Sequence, residues 1–281
     1  NPNKGYFLDF DPVENPISLQ LGGDDPKLLS EAVKLAEEWG YDEVNLNIGC
    51  PSPKVKAGNF GASLMARPDH VARCIEAMTS RSTLPVTVKH RLGIDNLDTD
   101  ELLLKFVDQV ASAGAKRFVI HARKAWLEGL NPKQNRTVPP LQYERVAILK
   151  KERPDLKIEL NGGLNYPNDC FKALETFDGA MVGRAAYSHP LRWQQIDEII
   201  YGEKTQFINA SKVIRGLIPH AQKHIDEGGK VWDFCRHALQ LVEGVPGARL
   251  WRKNLCSAAQ QKNKEINVLE AAARQLEDAG L

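Results

Sequence analysis

The chain has 281 residues, of which 42% are hydrophobic and 26% are charged, with a formal net charge of +1, values typical of a soluble globular protein long enough for one barrel and a small second domain. No apolar run approaches the roughly 18 residues that span a bilayer, and no signal-peptide pattern opens the chain, so the sequence predicts a cytoplasmic protein with no membrane segment. Five cysteines without a Cys-x-x-Cys pair argue against a disulfide framework and against structural zinc.

Short apolar runs alternate with longer segments of helical period through most of the chain. The runs are Ile17 to Leu21, Glu43 to Asn47, Val86 to His90, Arg117 to His121, Lys157 to Asn161 and Ala180 to Gly183. We interpret them as strands of a parallel sheet covered by helices. Polar residues or glycines are then expected at the carboxyl ends of the strands, where an α/β barrel gathers its active site: Gln20, Asn47, Lys89, His121, Asn161 and Gly183.

Helix boundaries are indicated between these runs. Asp25 can cap the first intervening helix, Pro26 fits its first turn, and Gly40 suits a left-handed residue at its end. Further boundaries are predicted at Thr99, Gly114 and Pro167.

The order of elements favours a TIM (β/α)8-type barrel over a doubly wound sheet, because no Gly-x-Gly-x-x-Gly follows a strand. Six βα units are two short of eight, and the chain opens at Asn1 without a methionine and runs almost directly into a strand. We therefore expect the first two strands to lie upstream. From about Thr205 only helices are predicted, so the expected domains are a catalytic barrel over 1–204 and a helical domain over 205–281.

Cys50 is the residue that the sequence singles out for chemistry. It ends an apolar run between Gly49 and Pro51, and Pro51 fixes a turn that presents the thiol. The alternative is a small buried hydrophobe, the commonest role of a free cysteine. The other four cysteines are interpreted as packing residues: Cys74, Cys170, Cys235 and Cys256.

Two glycine motifs predict a bound phosphate. Asn161-Gly162-Gly163 and Val182-Gly183-Arg184 follow what would be the seventh and eighth strands of a complete barrel, whose loops commonly form the phosphate site. Glycine allows backbone N–H groups to approach an anion, and Arg184 adds charge and a donor fork.

Lys89 and His121 each have more than one possible role. Lys89 could form a Schiff base if a neighbouring cation lowers its pKa, or it could stabilise negative charge on a flavin ring. His121 could be a base, a phosphate ligand or a core residue. His220 and His224 are four residues apart on a predicted helix, but no third ligand is evident, so no metal site is predicted.

Positive charge is concentrated in two segments. Residues 116–153 carry ten Lys or Arg against three Glu, and residues 249–264 carry five Lys or Arg against no acidic residue. Such clusters are often solvated faces, but they are also the pattern expected for a polyanion ligand.

A set of motifs occurs in order along the barrel half: Asn45 to Ser52 (NLNIGCPS), Phe60 to Met65 (FGASLM) and Val86 to Lys89 (VTVK). They are followed by His121 to Leu127 (HARKAWL), Pro132 to Arg136 (PKQNR) and Pro139 to Leu141 (PPL). The first set resembles the tRNA-dihydrouridine synthases, and the second resembles their A-type branch, whose members modify U20 and U20a of the D-loop. The resemblance extends from roughly Pro16 to Gly202.

The resemblance implies reduction of tRNA uridine to 5,6-dihydrouridine, with FMN as cofactor, NADPH as reductant and Cys50 as the proton donor to C5. The positions that match the family's FMN contacts are Gln20, Lys89, His121, Asn161, Gly162, Gly163, Gly183 and Arg184. The positions that match its tRNA contacts are Asn47, Lys133, Arg136 and, in the helical domain, Arg249 and Arg252. No protein partner is evident.

One departure from the family pattern keeps two alternatives open. Family members begin with strands that carry Ala-Pro-Met and Thr-Glu-Met, and neither tripeptide is present here. The alternatives are a tRNA-binding fragment without a competent active site and a barrel lyase that uses Lys89 as a Schiff base.

Overall fold

The computed structural model describes residues 4–281, and its central element is a parallel sheet of six strands that pair in chain order. The strands are β1 (Ser18–Leu21), β2 (Glu43–Ile48), β3 (Val86–Arg91), β4 (Arg117–His121), β5 (Lys157–Asn161) and β6 (Gly179–Met181). The parallel α/β architecture predicted from the apolar runs is confirmed.

Helices precede, separate and follow the strands. Up to β6 they are α1 (Lys4–Leu8), α2 (Pro26–Glu38), α3 (Pro53–Ala57), α4 (Pro68–Thr79), α5 (Asp100–Ser112), α6 (Tyr143–Glu152) and α7 (Pro167–Leu174). After β6 they are α8 (Arg184–Ser188), α9 (Ile196–Tyr201), α10 (Ala210–Asp226), α11 (Trp232–Ala238), α12 (Ala248–Gln261) and α13 (Asn267–Asp278). Short 3-10 helices lie at Pro12–Glu14, Gly61–Ala66, Gln134–Arg136, Pro190–Gln195 and Leu239–Val242. Within the described range, no helix has both the length and the hydropathy required to cross a bilayer.

The predicted helix boundaries are confirmed by their capping contacts. The Asp25 carboxylate accepts two backbone N–H bonds at the start of α2, and Gly40 lies just beyond its end at φ +84°. The Thr99 hydroxyl accepts a bond from the Leu102 N–H at the start of α5, and α7 begins at Pro167 as expected.

The two ends of the sheet differ from the prediction. The last strand was expected over 180–183, but β6 ends at Met181. Met181 pairs with Asn161, the last residue of β5, so β5 offers no partner for the residues that follow. Gly183 therefore lies beyond the strand and caps α8. At the other end, the expectation that the chain runs almost directly into a strand is wrong, since α1 and a 3-10 helix precede β1.

The sheet has one apolar and one polar face. Along β2, Val44, Leu46 and Ile48 are fully buried, and the residues between them are polar. Since successive side chains of a strand point to opposite faces, the apolar side chains share the face covered by helices. On that side α2 packs against β1, α4 against β3 and α6 against β5. The other face is left with polar side chains.

The chain folds as two compact units. The first comprises the described residues up to Leu164 together with Lys172–Met181, and the second comprises Asn165–Phe171 and Val182–Leu281. From residue 205 onward the second unit contains helices and no strand. Its core includes Ile214, Trp251 and Leu269, and the Trp251 indole donates a 3.0 Å hydrogen bond to the Ala272 carbonyl. The predicted domain boundary at 205 stays a prediction.

Candidate active site at the carboxyl ends of the strands

The strand register brings the predicted polar residues of the first unit to one edge of the sheet. Asn47 of β2 pairs with Lys89 of β3, and Arg91 pairs with His121 of β4. His121 pairs in turn with Asn161 of β5. This edge therefore brings together Asn47, Lys89, His121 and Asn161, which were predicted at strand ends, and Arg91, which was not.

The Cys50 thiol lies on a turn that is held from both sides. The Asn47 side-chain oxygen accepts hydrogen bonds from the backbone N–H groups of Gly49 and Cys50, each at 3.0 Å. The Cys50 carbonyl accepts a 2.9 Å bond from the Ala62 N–H. Cys50 itself is half-buried, unlike a packing cysteine in a core.

Gly61 allows the close approach of a second loop to this turn. Its φ is +69°, in the left-handed region that favours glycine. A Cβ atom at this position would lie 2.6 Å from the Cys50 carbonyl oxygen and would also collide with the Val55 side chain. The glycine is therefore required by both its backbone angle and its neighbours.

Arg91 connects the Cys50 turn to the loop after β4, a role that the sequence did not reveal. Its guanidinium donates bonds to the carbonyls of Gly49 at 2.9 Å, Lys124 at 3.1 Å and Asn135 at 2.9 Å. Burial, with a contribution from the charge of Arg136, lowers the pKa of Arg91 to about 10. In sequence terms Arg91 is notable only as a charged residue at the end of an apolar strand.

The fully buried Asn135 side chain cross-links the loop after β4 through hydrogen bonds to the backbone of that loop. Its side-chain oxygen accepts a 2.8 Å bond from the Trp126 N–H, and its side-chain nitrogen donates to the carbonyls of Trp126 at 2.8 Å and Leu130 at 3.1 Å. The loop carries two of the predicted tRNA contacts, of which Lys133 is exposed and Arg136 is half-buried. Asn135 thus gives this basic segment a defined conformation.

Lys89 is a half-buried cation whose hydrogen-bond partner is uncharged. Its Nζ donates a 2.9 Å bond to Oδ1 of Asn161, and the Asn161 Nδ2 donates a 2.8 Å bond to the Met181 carbonyl. Burial, and secondarily the charge of Arg91, lowers the pKa of Lys89 to about 8. The sequence analysis anticipated the effect of a neighbouring cation, but burial is the larger cause.

Two successive glycines in the left-handed region follow β5. Gly162 has φ +103° and Gly163 has φ +76°. A Cβ atom on Gly162 would lie 3.1 Å from the His121 Nε2, and one on Gly163 would lie 2.5 Å from the Tyr143 hydroxyl. The Tyr143 hydroxyl also donates a 2.7 Å bond to the Gly162 carbonyl. The backbone therefore turns tightly here, in a way that larger residues could not adopt.

Gln20 lies on β1 and joins the same polar face. It donates a 2.8 Å bond to the Asn45 side chain and accepts a 3.0 Å bond from the Asn47 side chain.

Four of the predicted cofactor and tRNA contacts belong to the second unit. Gly183 precedes α8, Arg184 begins it, and α12 carries Arg249 and Arg252 on either side of the buried Trp251.

The remaining cysteines mostly match their expected packing role. Cys74, Cys170 and Cys235 are buried, and burial raises the pKa of Cys74 to about 11 and that of Cys235 to about 12. Cys256 is only half-buried, and its packing role stays a prediction.

Comparisons with known proteins agree on one family. The family model described as "Dihydrouridine synthase (Dus)" matches residues 1–277. A "tRNA-dihydrouridine(20/20a) synthase" from Synechocystis sp. is 46% identical over 266 residues, which cover 95% of this chain and 80% of that protein. The protein of the same name from Escherichia coli is 44% identical over 276 residues, covering 98% of this chain and 80% of that protein. Among solved structures, a phosphoenolpyruvate phosphomutase from Streptomyces platensis subsp. rosaceus aligns over 65% of each chain, with a TM-score of 0.43 and 14% identity.

Proposed function

This chain belongs to the dihydrouridine synthase family, and we propose that it reduces uridine to 5,6-dihydrouridine in the D-loop of tRNA, at positions 20 and 20a, with FMN as cofactor and NADPH as reductant. The observation that carries the proposal is the half-buried Cys50 on a fixed turn, at the same edge of the sheet as the half-buried cation Lys89. In the proposed reduction, the thiol would donate a proton to the base, and the cation would stabilise negative charge on the flavin ring.

The residues of the first unit fit a flavin mononucleotide. Lys89 is a half-buried ammonium bonded to a neutral amide, so an electron-rich ring oxygen or nitrogen would give it the counter-charge that Asn161 does not. Gly162 and Gly163 form a tight left-handed turn beside His121 and Tyr143, and we propose that the cofactor contacts this backbone. His121 and Gln20 are proposed as further ring contacts at the same edge.

The phosphate of the cofactor is assigned to backbone of the first unit. We place it at the glycine pair after β5, because glycine N–H groups are suited to a phosphate. In the second unit, Gly183 and Arg184 stay cofactor contacts predicted from the sequence, and Arg184 offers a guanidinium fork. The strands are proposed to be part of a (β/α)8-type barrel, in which the last two strand-end loops commonly bind phosphate.

Reduction of the C5=C6 bond of uracil adds a hydride at C6 and a proton at C5. Reduced FMN, when bound, supplies the hydride. Cys50 supplies the proton from its neutral thiol, leaving a thiolate that solvent reprotonates. Asn47 accepts from the N–H groups of Gly49 and Cys50, and in this proposal it holds the turn that carries the thiol.

Access to the uracil ring requires the base to leave the folded D-loop, at a cost of a few kcal/mol. We propose that basic side chains on the tRNA backbone offset this cost. The contacts proposed for tRNA are Asn47, Lys133 and Arg136 in the first unit and Arg249 and Arg252 on α12 of the second.

The test combines a spectrum with a single substitution. We expect the purified protein to show oxidised-flavin absorption that bleaches on addition of NADPH without oxygen, and to form dihydrouridine in unmodified tRNA. Cys50→Ala is expected to lose dihydrouridine formation while it retains both the bleaching and tRNA binding. Cys256→Ala, which removes the other half-buried thiol, is the matched control and is expected to stay active.

Two results would contradict the proposal. A Cys50→Ala protein with the wild-type rate would rule out the thiol as proton donor. A colourless protein that takes up no added FMN would leave tRNA binding alone as its function.

A further inference from the structure

A continuous series of hydrogen bonds runs along the polar face of the sheet, from the Cys50 turn to a carboxylate at the opposite end of β2. Asn47 Nδ2 donates to Gln20 Oε1 at 3.0 Å, and Gln20 Nε2 donates to Asn45 Oδ1 at 2.8 Å. Asn45 Nδ2 donates to the Thr87 hydroxyl at 2.8 Å, which donates to the Glu43 carboxylate at 2.8 Å. We call this series, from Asn47 through Gln20, Asn45 and Thr87 to Glu43, the amide relay.

The hydrogen bonds of the relay can donate in one direction only, toward Glu43 at Thr87 and with each amide oxygen on the side of the Cys50 turn. The acceptor at one end and the N–H donors at the other both require this direction. A carboxylate only accepts, so the single hydroxyl proton of Thr87 must point to Glu43. Thr87 can then only accept from Asn45, and each amide in turn must present its oxygen toward the Cys50 turn. At that turn the groups are backbone N–H donors, which require the Asn47 oxygen.

Two members of the relay, Asn45 and Thr87, are shielded from water, whereas Gln20 is exposed. Asn45 is 4% exposed and Thr87 is 2% exposed. A buried donor that faces another donor costs the desolvation of both groups, whereas a satisfied polar network is rigid.

Arg117 and Ser18 hold the Glu43 carboxylate in place. One carboxylate oxygen accepts from Thr87 and from the Ser18 hydroxyl at 2.9 Å, and the other accepts from Arg117 Nη1 at 2.8 Å. Arg117 also lies 3.4 Å from Glu159 of β5, a second carboxylate that makes no bond to the relay. Glu43 is thus positioned by one cation and in turn orients four side chains.

We propose that Glu43 is a positioning residue for Cys50: its carboxylate fixes the direction of the amide relay and so holds the turn that carries the thiol. The consequence for the reaction rests on the proposed function, in which Cys50 is the proton donor. The effect of Glu43 on the turn is independent of the proposed function, and it can be measured without FMN or tRNA.

Glu43→Gln is the sharpest probe because it keeps the shape and alters only the donor pattern. The new amide has a single acceptor oxygen for Arg117, Ser18 and Thr87, and we expect that oxygen to turn to the charged Arg117 and the nitrogen to face Thr87. Thr87 must then accept from position 43, and its hydroxyl proton faces the Asn45 nitrogen, a donor. The mismatch passes along the relay to the Asn47 oxygen.

Three further variants separate the relay from its surroundings. Thr87→Val removes the hydroxyl and breaks the relay while it leaves the Glu43 and Arg117 ion pair intact. Thr87→Ser keeps the hydroxyl and is the conservative rescue. Glu159→Gln removes the other carboxylate beside Arg117 and controls for the loss of charge at the cluster.

The measurement is backbone amide hydrogen exchange at Gly49 and Cys50, followed by NMR on the full chain, with the Val110 amide in α5 as an internal reference for global opening. We expect exchange at the turn to accelerate by about fivefold or more in Glu43→Gln and Thr87→Val, as for the loss of one hydrogen bond. Thr87→Ser and Glu159→Gln are expected to exchange at the wild-type rate at the turn, with Val110 unchanged throughout.

The proposal is overturned if the turn exchanges at the wild-type rate in both Glu43→Gln and Thr87→Val, or if Glu159→Gln accelerates it as much as Glu43→Gln does. Should Glu43→Gln fail to fold, the Thr87→Val and Thr87→Ser pair decides the question alone. Dihydrouridine formation at saturating tRNA is measured on the same proteins. Faster exchange together with a lower maximal rate supports the positioning role, whereas faster exchange with an unchanged rate would show that the relay holds the turn without affecting the reaction and would overturn the positioning role of Glu43.

Discussion

Lys89 on β3 reaches Asn161 on β5, two strands away, with a 2.9 Å hydrogen bond from its Nζ to the amide oxygen. The bond satisfies one ammonium donor but brings no opposite charge. Folding therefore removes a positive charge from water with incomplete compensation, and the pKa of Lys89 falls from 10.5 to about 8, mainly through burial.

The first prediction is a pH dependence of stability that originates at Lys89. Between pH 8 and 10.5 the unfolded chain holds the proton on Lys89 and the folded chain releases it, so raising the pH through this window favours folding. Relative to Lys89→Met, the free energy of unfolding of the wild type should rise by at most about 1.4 kcal/mol per pH unit in that range. Below pH 8 the difference should be constant.

Urea unfolding of the cofactor-free protein at pH 7.5, 8.5 and 9.5 would check this. Lys27→Met, which removes an exposed lysine from α2, is the control for loss of a lysine in general. A difference between wild type and Lys89→Met that stays flat across the three pH values would contradict the assignment.

The second prediction concerns the glycine beside the Cys50 turn. Gly61→Ala is expected to cost about 3 kcal/mol, because the left-handed backbone is strained for alanine and the new methyl collides with the Cys50 carbonyl. Gly129→Ala is the matched control, since its φ of +79° imposes a similar strain but nothing lies within 4 Å of the added Cβ. It should cost about 1 kcal/mol. Equal losses in chemical denaturation would show that contact with the turn is unimportant.

The third prediction tests Arg91 as the link between the Cys50 turn and the loop after β4. Lysine cannot reach three carbonyls from one planar group, so Arg91→Lys should leave buried carbonyls unsatisfied and cost about 3 kcal/mol. Arg215→Lys, at an exposed ion pair with Glu277, should cost less than about 1 kcal/mol. Thermal unfolding of both proteins would compare them, and an Arg91→Lys loss no larger than that of the control would refute the link.

The fourth prediction rests on the proposed tRNA contacts. Lys133 is exposed on the loop that Asn135 organises, so Lys133→Ala should weaken tRNA binding and reduce the slope of log affinity against log salt by about 0.7 to 1. Lys34→Ala removes an exposed lysine that is paired with Glu38 on α2 and should leave the slope unchanged. Binding measured across a salt series distinguishes the two, and identical slopes would place Lys133 outside the interface.

Much of the fold was predictable because its signals are local. A capping carboxylate at Asp25, a hydroxyl at Thr99 and a left-handed glycine at Gly40 act within a few residues of the boundary that they mark. The strands were recognisable from short apolar runs that end in polar residues, and β4 and β5 have the predicted bounds.

The parts that were missed depend on contacts between distant segments. Arg91 acts on backbone carbonyls, which leave no trace in the sequence of the loops that provide them. The end of β6 depends on where β5 stops, and the bond between Gln20 and Asn45 depends on the register of β1 against β2. Pairing of this kind is set by the assembled sheet and not by any one strand.

The order of the strands has a consequence for how the chain acquires its structure during synthesis. Each strand from β2 to β6 pairs with the strand immediately before it in the chain, so a newly completed βα segment finds its partner already in place. The parallel sheet can then extend from the amino-terminal side as the ribosome delivers each segment, without waiting for a distant part of the chain. The most recently added strand presents an unpaired leading edge, and β1 keeps an outer edge to which no described strand is paired.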